Sequence, residues 1–203
     1  PKSAKYKIHV ASFGNFKSFI ENQKKENIDF TFKYNAWLNK ISILSPDIIS
    51  ISAAKKNNLK FLFNGVNDKN INCLVINPKS SFDSSGLKNN IFFYNEFVYA
   101  GINDILNSSK VVGFLGHNNI SVPTSLYMFC SYKIPIISIN TEPLCTIVND
   151  YKIGIVVNKS EEILMAYKTI LNNYDKYQKN ILIFNREKNW ISSAKIHNDI
   201  FQS

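Results

Sequence analysis

The sequence predicts an α/β protein built on a mainly parallel β-sheet. Short runs of β-branched residues alternate along the chain with amphipathic stretches of helical length, a rhythm that is typical of β–α units feeding parallel strands. The chain has 203 residues, of which 45% are hydrophobic and 19% are charged, as in ordinary globular proteins. At this length about 70% of the unfolded surface can be buried, so the fold needs no covalent or metal support.

The first part of the chain is predicted to hold four strands and three helices. The strands are β-branched runs at residues 6–12, 28–33, 47–52 and 71–77. The helices cover residues 16–26, 36–44 and 53–63. The first helix has apolar residues at Phe16, Phe19 and Ile20, an i, i+3, i+4 stripe. Pro46 ends the second helix, because a proline disfavours the helical conformation in the residue before it.

A polar stretch at residues 78–90 interrupts the pattern and predicts a linker or long loop, since it is rich in Ser, Asn, Lys, Pro and Gly. Further strands are predicted at residues 91–94, 110–115, 135–139 and 153–157. Further helices are predicted at residues 99–107, 124–132, 143–149, 160–172 and from 174 onward. Ser160 is the predicted N-cap of its helix, with two glutamates in the first turn. We therefore divide the chain into an N-terminal α/β part, residues 1–84, and a second part, residues 85–203.

The net charge of +9 raises the question of a nucleic-acid partner. The lysines are spread along the chain in runs no longer than two, and Arg186 is the only arginine. Sequence-specific readers of duplex DNA use arginine forks on guanine, so we predict a solvated lysine surface and no nucleic-acid partner. The same charge leaves open a peripheral association with an anionic membrane face.

The three cysteines, Cys73, Cys130 and Cys145, have no CxxC spacing. This argues against a disulfide framework or a metal site and favours a reducing compartment. No apolar run reaches the roughly 18 residues of a membrane span, and no three-part signal peptide is visible. We predict a cytoplasmic protein without metal or cofactor. Any contact with a membrane is expected at its cytoplasmic face.

The turn after the strand at residues 110–115 is the richest place for a ligand, because ligands of parallel sheets collect at the carboxyl ends of strands. Gly116 would let the backbone approach a ligand, and Pro123 suits a helix start. The amides of Thr124, Ser125 and Leu126 and the two hydroxyls could then hold a phosphate. Alternatively, Thr124 and Ser125 only cap the helix.

Three other polar side chains in or after these turns are candidate ligand contacts. His117 could act as an acid, a base or a sugar contact, or be an ordinary loop histidine. Asn118 lies in the same turn. Glu142, which follows the next predicted strand, could bind sugar or ribose hydroxyls, or it could complement the dipole of the following helix.

From about residue 90 to its end, the chain resembles the C-terminal domain of GT-B glycosyltransferases of the group 1 type. The family run P-N-K-x-x-E-Y-M-A-x-G-x-P-V-I corresponds here to PTSLYMFCSYKIPII, residues 123–137, with the twelve-residue spacing between the two prolines kept. Family-like segments follow at Gly154–Val157 (GIVV), Ser160–Ile163 (SEEI) and Phe184–Trp190 (FNREKNW).

The resemblance implies a GT-B-like, Rossmann-type parallel sheet with helices on both faces. It implies a hexosyltransferase-like enzyme of surface polysaccharide biosynthesis, which moves a sugar from a nucleotide-sugar donor to a glycan or lipid-linked acceptor. His117 would be catalytic. The donor-binding candidates are Gly116, Asn118, Thr124, Ser125 and Glu142.

Three positions depart from the family pattern. Met128 replaces a glutamate that holds the donor ribose, Ser125 replaces a lysine, and Lys133 replaces a glycine. These departures keep two alternatives open. One is a GT-B-like binding or scaffolding protein without turnover, and the other is a sugar-nucleotide epimerase-like enzyme.

Overall fold

Six parallel strands form one sheet in the part of the chain that the structure describes. The computed structural model describes residues 46–51, 56–66, 70–76, 89–94, 106–107, 110–116 and 122–188. The strands are β1 (Ile48–Ile51), β2 (Cys73–Ile76), β3 (Ile91–Tyr94), β4 (Val112–Leu115), β5 (Ile136–Ile139) and β6 (Gly154–Val157). The elements predicted before residue 46, the segment 77–88 and most of the helix predicted at 99–107 lie outside the described ranges.

The strand order is that of a Rossmann-type sheet. The strands lie in the order β3-β2-β1-β4-β5-β6, and each neighbouring pair is parallel. The order reverses between β1 and β4, which makes this place the topological switch point. Each described strand lies within two residues of its predicted position, and the predicted parallel sheet is confirmed.

Within the described ranges, five α-helices accompany the sheet. They are α1 (Lys56–Val66), α2 (Thr124–Ser131), α3 (Leu144–Tyr151), α4 (Ile163–Asn172) and α5 (Tyr174–Glu187). Residues of α2, α3 and α5 form a buried cluster on one face of the sheet, and residues of α1 and α4 form a cluster on the other. Successive strand residues supply opposite faces, as Ile49 and Ile48 do in β1. The predicted helices on both faces are thus confirmed.

The sheet spans the predicted boundary between residues 84 and 85. β1 and β2 come from the first part of the chain, yet β1 lies at the centre of the sheet beside β4. A hydrogen bond also joins the two parts, from the Tyr167 hydroxyl of α4 to Asp47 Oδ1 at 2.6 Å. The other carboxylate oxygen of Asp47 accepts the backbone N–H of Asn72 at 2.8 Å. Residues 46–51 and 70–76 therefore share one core with β4, β5 and β6.

The N-cap predicted at Ser160 is wrong. Ser160 is the first residue of a 3-10 turn, Ser160–Glu162, which precedes α4, and Lys159 is its extended N-cap. Glu162 supplies the capping oxygen, because its Oε2 accepts the backbone N–H of Asn158 at 2.7 Å and that of Lys159 at 3.4 Å. The longer glutamate reaches back over the turn, as in a capping box.

Amide side chains of α5 bind the C-terminal ends of α2 and α3. Asn185 donates to the carbonyl of Cys130 at 2.8 Å, Gln178 to that of Lys133 at 3.2 Å and Asn180 to that of Lys152 at 2.8 Å. We call this set of three hydrogen bonds the α5 clasp. The acceptors lie at or just after the last turns of the two helices, so the clasp ties the C-terminal ends of α2 and α3 to α5.

Candidate functional site

The switch point between β1 and β4 is bridged by Asn58. This residue lies in the first turn of α1, is 4% exposed, and donates from Nδ2 to the carbonyl of Gly116, directly after β4. A Cβ at position 116 would lie 3.0 Å from the Cβ of Asn58 and 2.9 Å from the Phe114 ring. The glycine therefore has a packing role in the fold: it lets α1 approach the end of β4. Close approach of a ligand there remains a prediction.

Helix α2 begins at the carboxyl edge of the sheet, because it follows β4 and connects it to the parallel strand β5. Pro123 precedes it in an extended conformation, without a side-chain cap. Thr124 and Ser125 are its first two residues, so their amides point out of the helix end without an intrahelical acceptor. The prediction that the Leu126 amide is also free is wrong, since this N–H donates to the Pro123 carbonyl at 3.0 Å.

Ser125 is the most unusual residue of this helix end. Its side chain is 4% exposed, and among the described residues its Oγ has no hydrogen-bond partner. Burying an unpaired hydroxyl costs about 1–3 kcal/mol, so a native structure normally gives such a group a partner. The expectation that Ser125 serves only as a cap does not account for this, because no side-chain cap bond is present in α2.

Glu142 lies between β5 and α3 with its side chain exposed. Its Oε1 accepts a hydrogen bond from the Thr146 hydroxyl at 2.8 Å. Hydrogen bonds from the Thr146 side chain, followed by the Cys145 thiol, hold the pKa of the Glu142 carboxyl below its ordinary value. A carboxylate two residues before α3 suits the positive end of that helix dipole.

A polar cleft of about 320 Å³ opens beside α1 at the ends of β5 and β6. We call it the asparagine cleft; it is lined by Asn58, Phe61, Ile139, Asn140, Thr141, Val157 and Asn158. The sequence analysis did not single out these residues. Asn140 and Asn158 could have been found, because each directly follows a strand. Asn58 and Phe61 line the cleft because α1 packs beside it. No local sequence pattern indicates that packing.

The described structure therefore places four of the predicted site residues at or beside the carboxyl edge. Gly116 follows β4, Thr124 and Ser125 begin α2, and Glu142 follows β5. The two remaining candidates, His117 and Asn118, lie outside the described residues.

Two of the departures from the family pattern have clear structural settings. Met128 is 5% exposed and packs in the cluster under α2, so its side chain faces the core and carries no polar group. Lys133, which replaces a glycine, has a φ of 58°, a left-handed conformation in which glycine carries no steric penalty. A lysine therefore occupies a backbone conformation that glycine adopts more easily.

The buried thiols do not form a reactive centre. Burial raises the pKa of Cys73 and of Cys130 above the ordinary thiol value, which keeps both protonated at neutral pH. In the described part of the chain, no three His, Cys, Asp or Glu side chains are grouped so that they could hold a metal ion. No helix within the described ranges is long and apolar enough to cross a membrane.

No protein-family model matches this chain, and no curated protein matches it. Among solved structures it is similar to the C-terminal CMP-Kdo binding domain of WaaA from Acinetobacter baumannii. The TM-score is 0.47 and the sequence identity 13%, over 77% of this chain and 96% of that one. The function proposed below rests on the described site.

Proposed function

We propose that this protein is a glycosyltransferase that binds a nucleotide-sugar at the carboxyl edge of its sheet and transfers the sugar. The acceptor is a glycan or a lipid-linked glycan of a surface polysaccharide. In this proposal the amides of Thr124 and Ser125 hold the diphosphate, and Glu142 binds donor hydroxyls. His117 and Asn118 complete the site from the turn after Gly116.

The observation that carries the proposal is the buried hydroxyl of Ser125 without a partner. It lies at the N-terminal end of a helix that follows the switch-point strand, the position where phosphates bind in sheets of this topology. A diphosphate oxygen would give Ser125 Oγ the acceptor that the described residues do not provide. Donors placed there stabilise the negative charge that develops on the departing diphosphate.

The proposed reaction takes place on the cytoplasmic side, where nucleotide-sugars are made. The charge of +9 supports an accompanying attraction to an anionic membrane face, at which a lipid-linked acceptor would be presented. The site proposed for the donor uses main-chain amides and hydroxyls and calls for no metal ion.

The test is a thermal-shift panel of UDP, GDP, CMP and ADP on the wild-type chain and on Ser125→Ala. We expect one nucleotide to stabilise the wild type, by about 2.7 kcal/mol at 100 times its dissociation constant. Ser125→Ala should lose most of this shift. Without nucleotide it should be at least as stable as the wild type, because it removes a buried hydroxyl without a partner.

The matched control is Ser131→Ala at the other end of α2. The Ser131 hydroxyl donates to the Met128 carbonyl at 2.7 Å, so this variant should lose some stability and keep the nucleotide shift. Loss of nucleotide binding in Ser125→Ala and loss of stability in Ser131→Ala would show that Ser125 serves a ligand and Ser131 serves the fold. A Ser125→Ala variant that is less stable and still binds nucleotide contradicts the proposal.

A non-catalytic, GT-B-like binding protein is the second candidate, and Met128 favours it. Where the family has a ribose-binding glutamate, the described side chain is apolar and packed in the core. No nucleotide shift at millimolar concentration would favour this candidate, as would a shift without any transfer or hydrolysis of the sugar.

A further inference from the structure

The asparagine cleft combines an apolar floor with a polar rim. Ile139 and Val157, the last residues of β5 and β6, are buried beneath it, and the half-buried Phe61 forms part of its wall. Asn140 and Asn158 at the rim are exposed. Ligand pockets generally join apolar walls with a few placed polar groups, and this lining matches a ligand with an apolar ring face and polar groups around its edge.

The rim groups are held in place by hydrogen bonds. Asn140 Nδ2 donates to Asn158 Oδ1 at 2.8 Å, and the Asn140 backbone N–H donates to the Val157 carbonyl at 3.0 Å. Glu162 holds the next turn, because its carboxylate accepts the Asn158 backbone N–H at 2.7 Å. Preorganised side chains lose less conformational entropy when a ligand binds.

This pairing leaves one acceptor and one donor for a ligand. Within the described ranges, Asn140 Oδ1 and Asn158 Nδ2 have no hydrogen-bond partner, since the pair uses only the opposite atoms of the two amides. A sugar hydroxyl both donates and accepts, so vicinal hydroxyls can meet such a pair together. The hydroxyl of Thr141 adds a further group of the same kind at this rim.

The described lining carries no charge. All seven lining residues are neutral, although lysine is abundant in the chain, and Glu162 is engaged with backbone amides behind the rim. An anionic ligand would find no cation among the lining residues to offset the loss of its hydration. The volume of about 320 Å³ is at the lower end for ligand pockets and corresponds to one ring of sugar size.

From this lining we infer that the asparagine cleft is a binding site for one uncharged, hydroxyl-rich sugar ring. The inference deepens the proposed function and rests on it for the role of that sugar. The ring belongs either to the nucleotide-sugar or to the acceptor glycan, and both present the same chemistry to Asn140 and Asn158.

The experiment is saturation-transfer NMR on the full chain with three groups of probes at millimolar concentration. The neutral probes are methyl glucoside, methyl galactoside and N-acetylglucosamine, the anionic probe is glucuronate, and the nucleoside probe is uridine. We expect at least one neutral sugar to bind and glucuronate to bind more weakly. In Asn158→Ala the dissociation constant of that sugar should rise by about fivefold or more, as expected for the loss of one hydrogen bond.

Asn64→Ala is the matched control. Asn64 is exposed on α1, the helix that carries Asn58 and Phe61, and does not line the cleft. This variant should bind the sugar as the wild type does. Because Asn158 and Asn64 are both exposed, both variants should give the folded amide spectrum of the wild type. No neutral sugar binding, equal binding by Asn158→Ala, or stronger binding of uridine or glucuronate than of every neutral sugar would overturn the inference.

Two further arms identify the source of the sugar. If the ring belongs to the donor, Asn158→Ala should weaken binding of the nucleotide-sugar and leave that of the free nucleotide unchanged. If it belongs to the acceptor, a neutral oligosaccharide should bind without nucleotide and lose affinity in Asn158→Ala. Sugar binding without any nucleotide binding would remove the proposed function and keep this inference, whereas nucleotide binding without sugar binding would do the reverse.

Discussion

The charge on Glu142 is coupled to the fold mainly through the hydroxyl of Thr146. The Thr146 hydroxyl donates to the Glu142 carboxylate and is the main cause of its lowered pKa. Because the carboxyl group is more acidic in the folded chain than in the unfolded one, its ionised form favours the native state. That contribution is present above the pKa of the unfolded chain and is lost as the pH falls through the folded pKa.

We predict that Thr146→Val lowers stability at neutral pH and that the difference from the wild type disappears in acid. Valine keeps the shape of the side chain but cannot donate to the carboxylate. The measurement is the urea midpoint of both proteins from pH 7 downward through the titration of Glu142. Thr146→Ser, which keeps the hydroxyl, should follow the wild type. A difference between wild type and valine variant that does not change with pH would show that the hydrogen bond is not the cause.

Site residues that follow a strand could be predicted from the sequence. Features of the site that depend on how helices pack on the sheet could not. Thr124, Ser125 and Glu142 were expected at the carboxyl edge because each comes shortly after a β-branched run. The burial of Ser125 could not be foreseen, since it depends on how α2 lies on the sheet. Asn58 lies 58 residues from Gly116 in the chain, and no local pattern indicates that contact.

Helices α2 and α3 both end in a Schellman motif with a lysine in the left-handed conformation. After α2, the amides of Lys133 and Ile134 donate to the carbonyls of Cys130 and Phe129. After α3, Lys152 and Ile153 repeat this pattern with Asn149 and Val148. The φ angles of the lysines are 58° and 50°. Glycine is the usual residue at such a position, so each lysine carries a backbone penalty.

We predict that Lys133→Gly raises the free energy of unfolding by about 0.5–1 kcal/mol, as relief of the left-handed strain outweighs the added entropy of the unfolded chain. Urea unfolding at constant m-value measures the change. Lys133→Ala is the control, because it removes the charge and keeps the Cβ, and it should show no gain. A destabilised glycine variant would mean that contacts of the lysine stem outweigh the strain.

The strands were easier to predict than the helix ends. β3 has the predicted bounds, and β4 and β5 begin two residues and one residue later than predicted. The agreement is close because a short, buried, β-branched run is typical of a strand in a parallel sheet. Helix α1 was predicted to end at Phe63, but it continues to Val66. A Cβ at Gly65 would lie 2.5 Å from the Ser160 carbonyl oxygen. The glycine serves close packing against the 3-10 turn and does not end the helix.

At the scale of the whole molecule, the strand order decides where the chain can be divided. Because β1 lies between β2 and β4, residues 85–203 alone would lack both β1 and β2. The backbone edge of β4 would then be exposed, Val112 and Phe114 would lose the α1 residues of their buried cluster, and β3 would have no partner. An exposed apolar edge strand is an aggregation site.

We therefore predict that a protein of residues 85–203 neither folds cooperatively nor stays monomeric. Far-UV circular dichroism through a thermal ramp and size-exclusion chromatography, with the full chain as reference, measure this. Cooperative unfolding of the monomeric fragment would instead support the division between residues 84 and 85 that the sequence suggests.

The α5 clasp has a consequence for biosynthesis. Asn185 and Asn180 secure helices that leave the ribosome tens of residues earlier, and Phe184 packs against Tyr127 of α2 and Tyr151 of α3. Because a chain is synthesised from its N-terminus, α2 and α3 leave the ribosome before the residues that bind their ends. The α5 clasp and the Phe184 contacts can therefore form only after α5 has emerged.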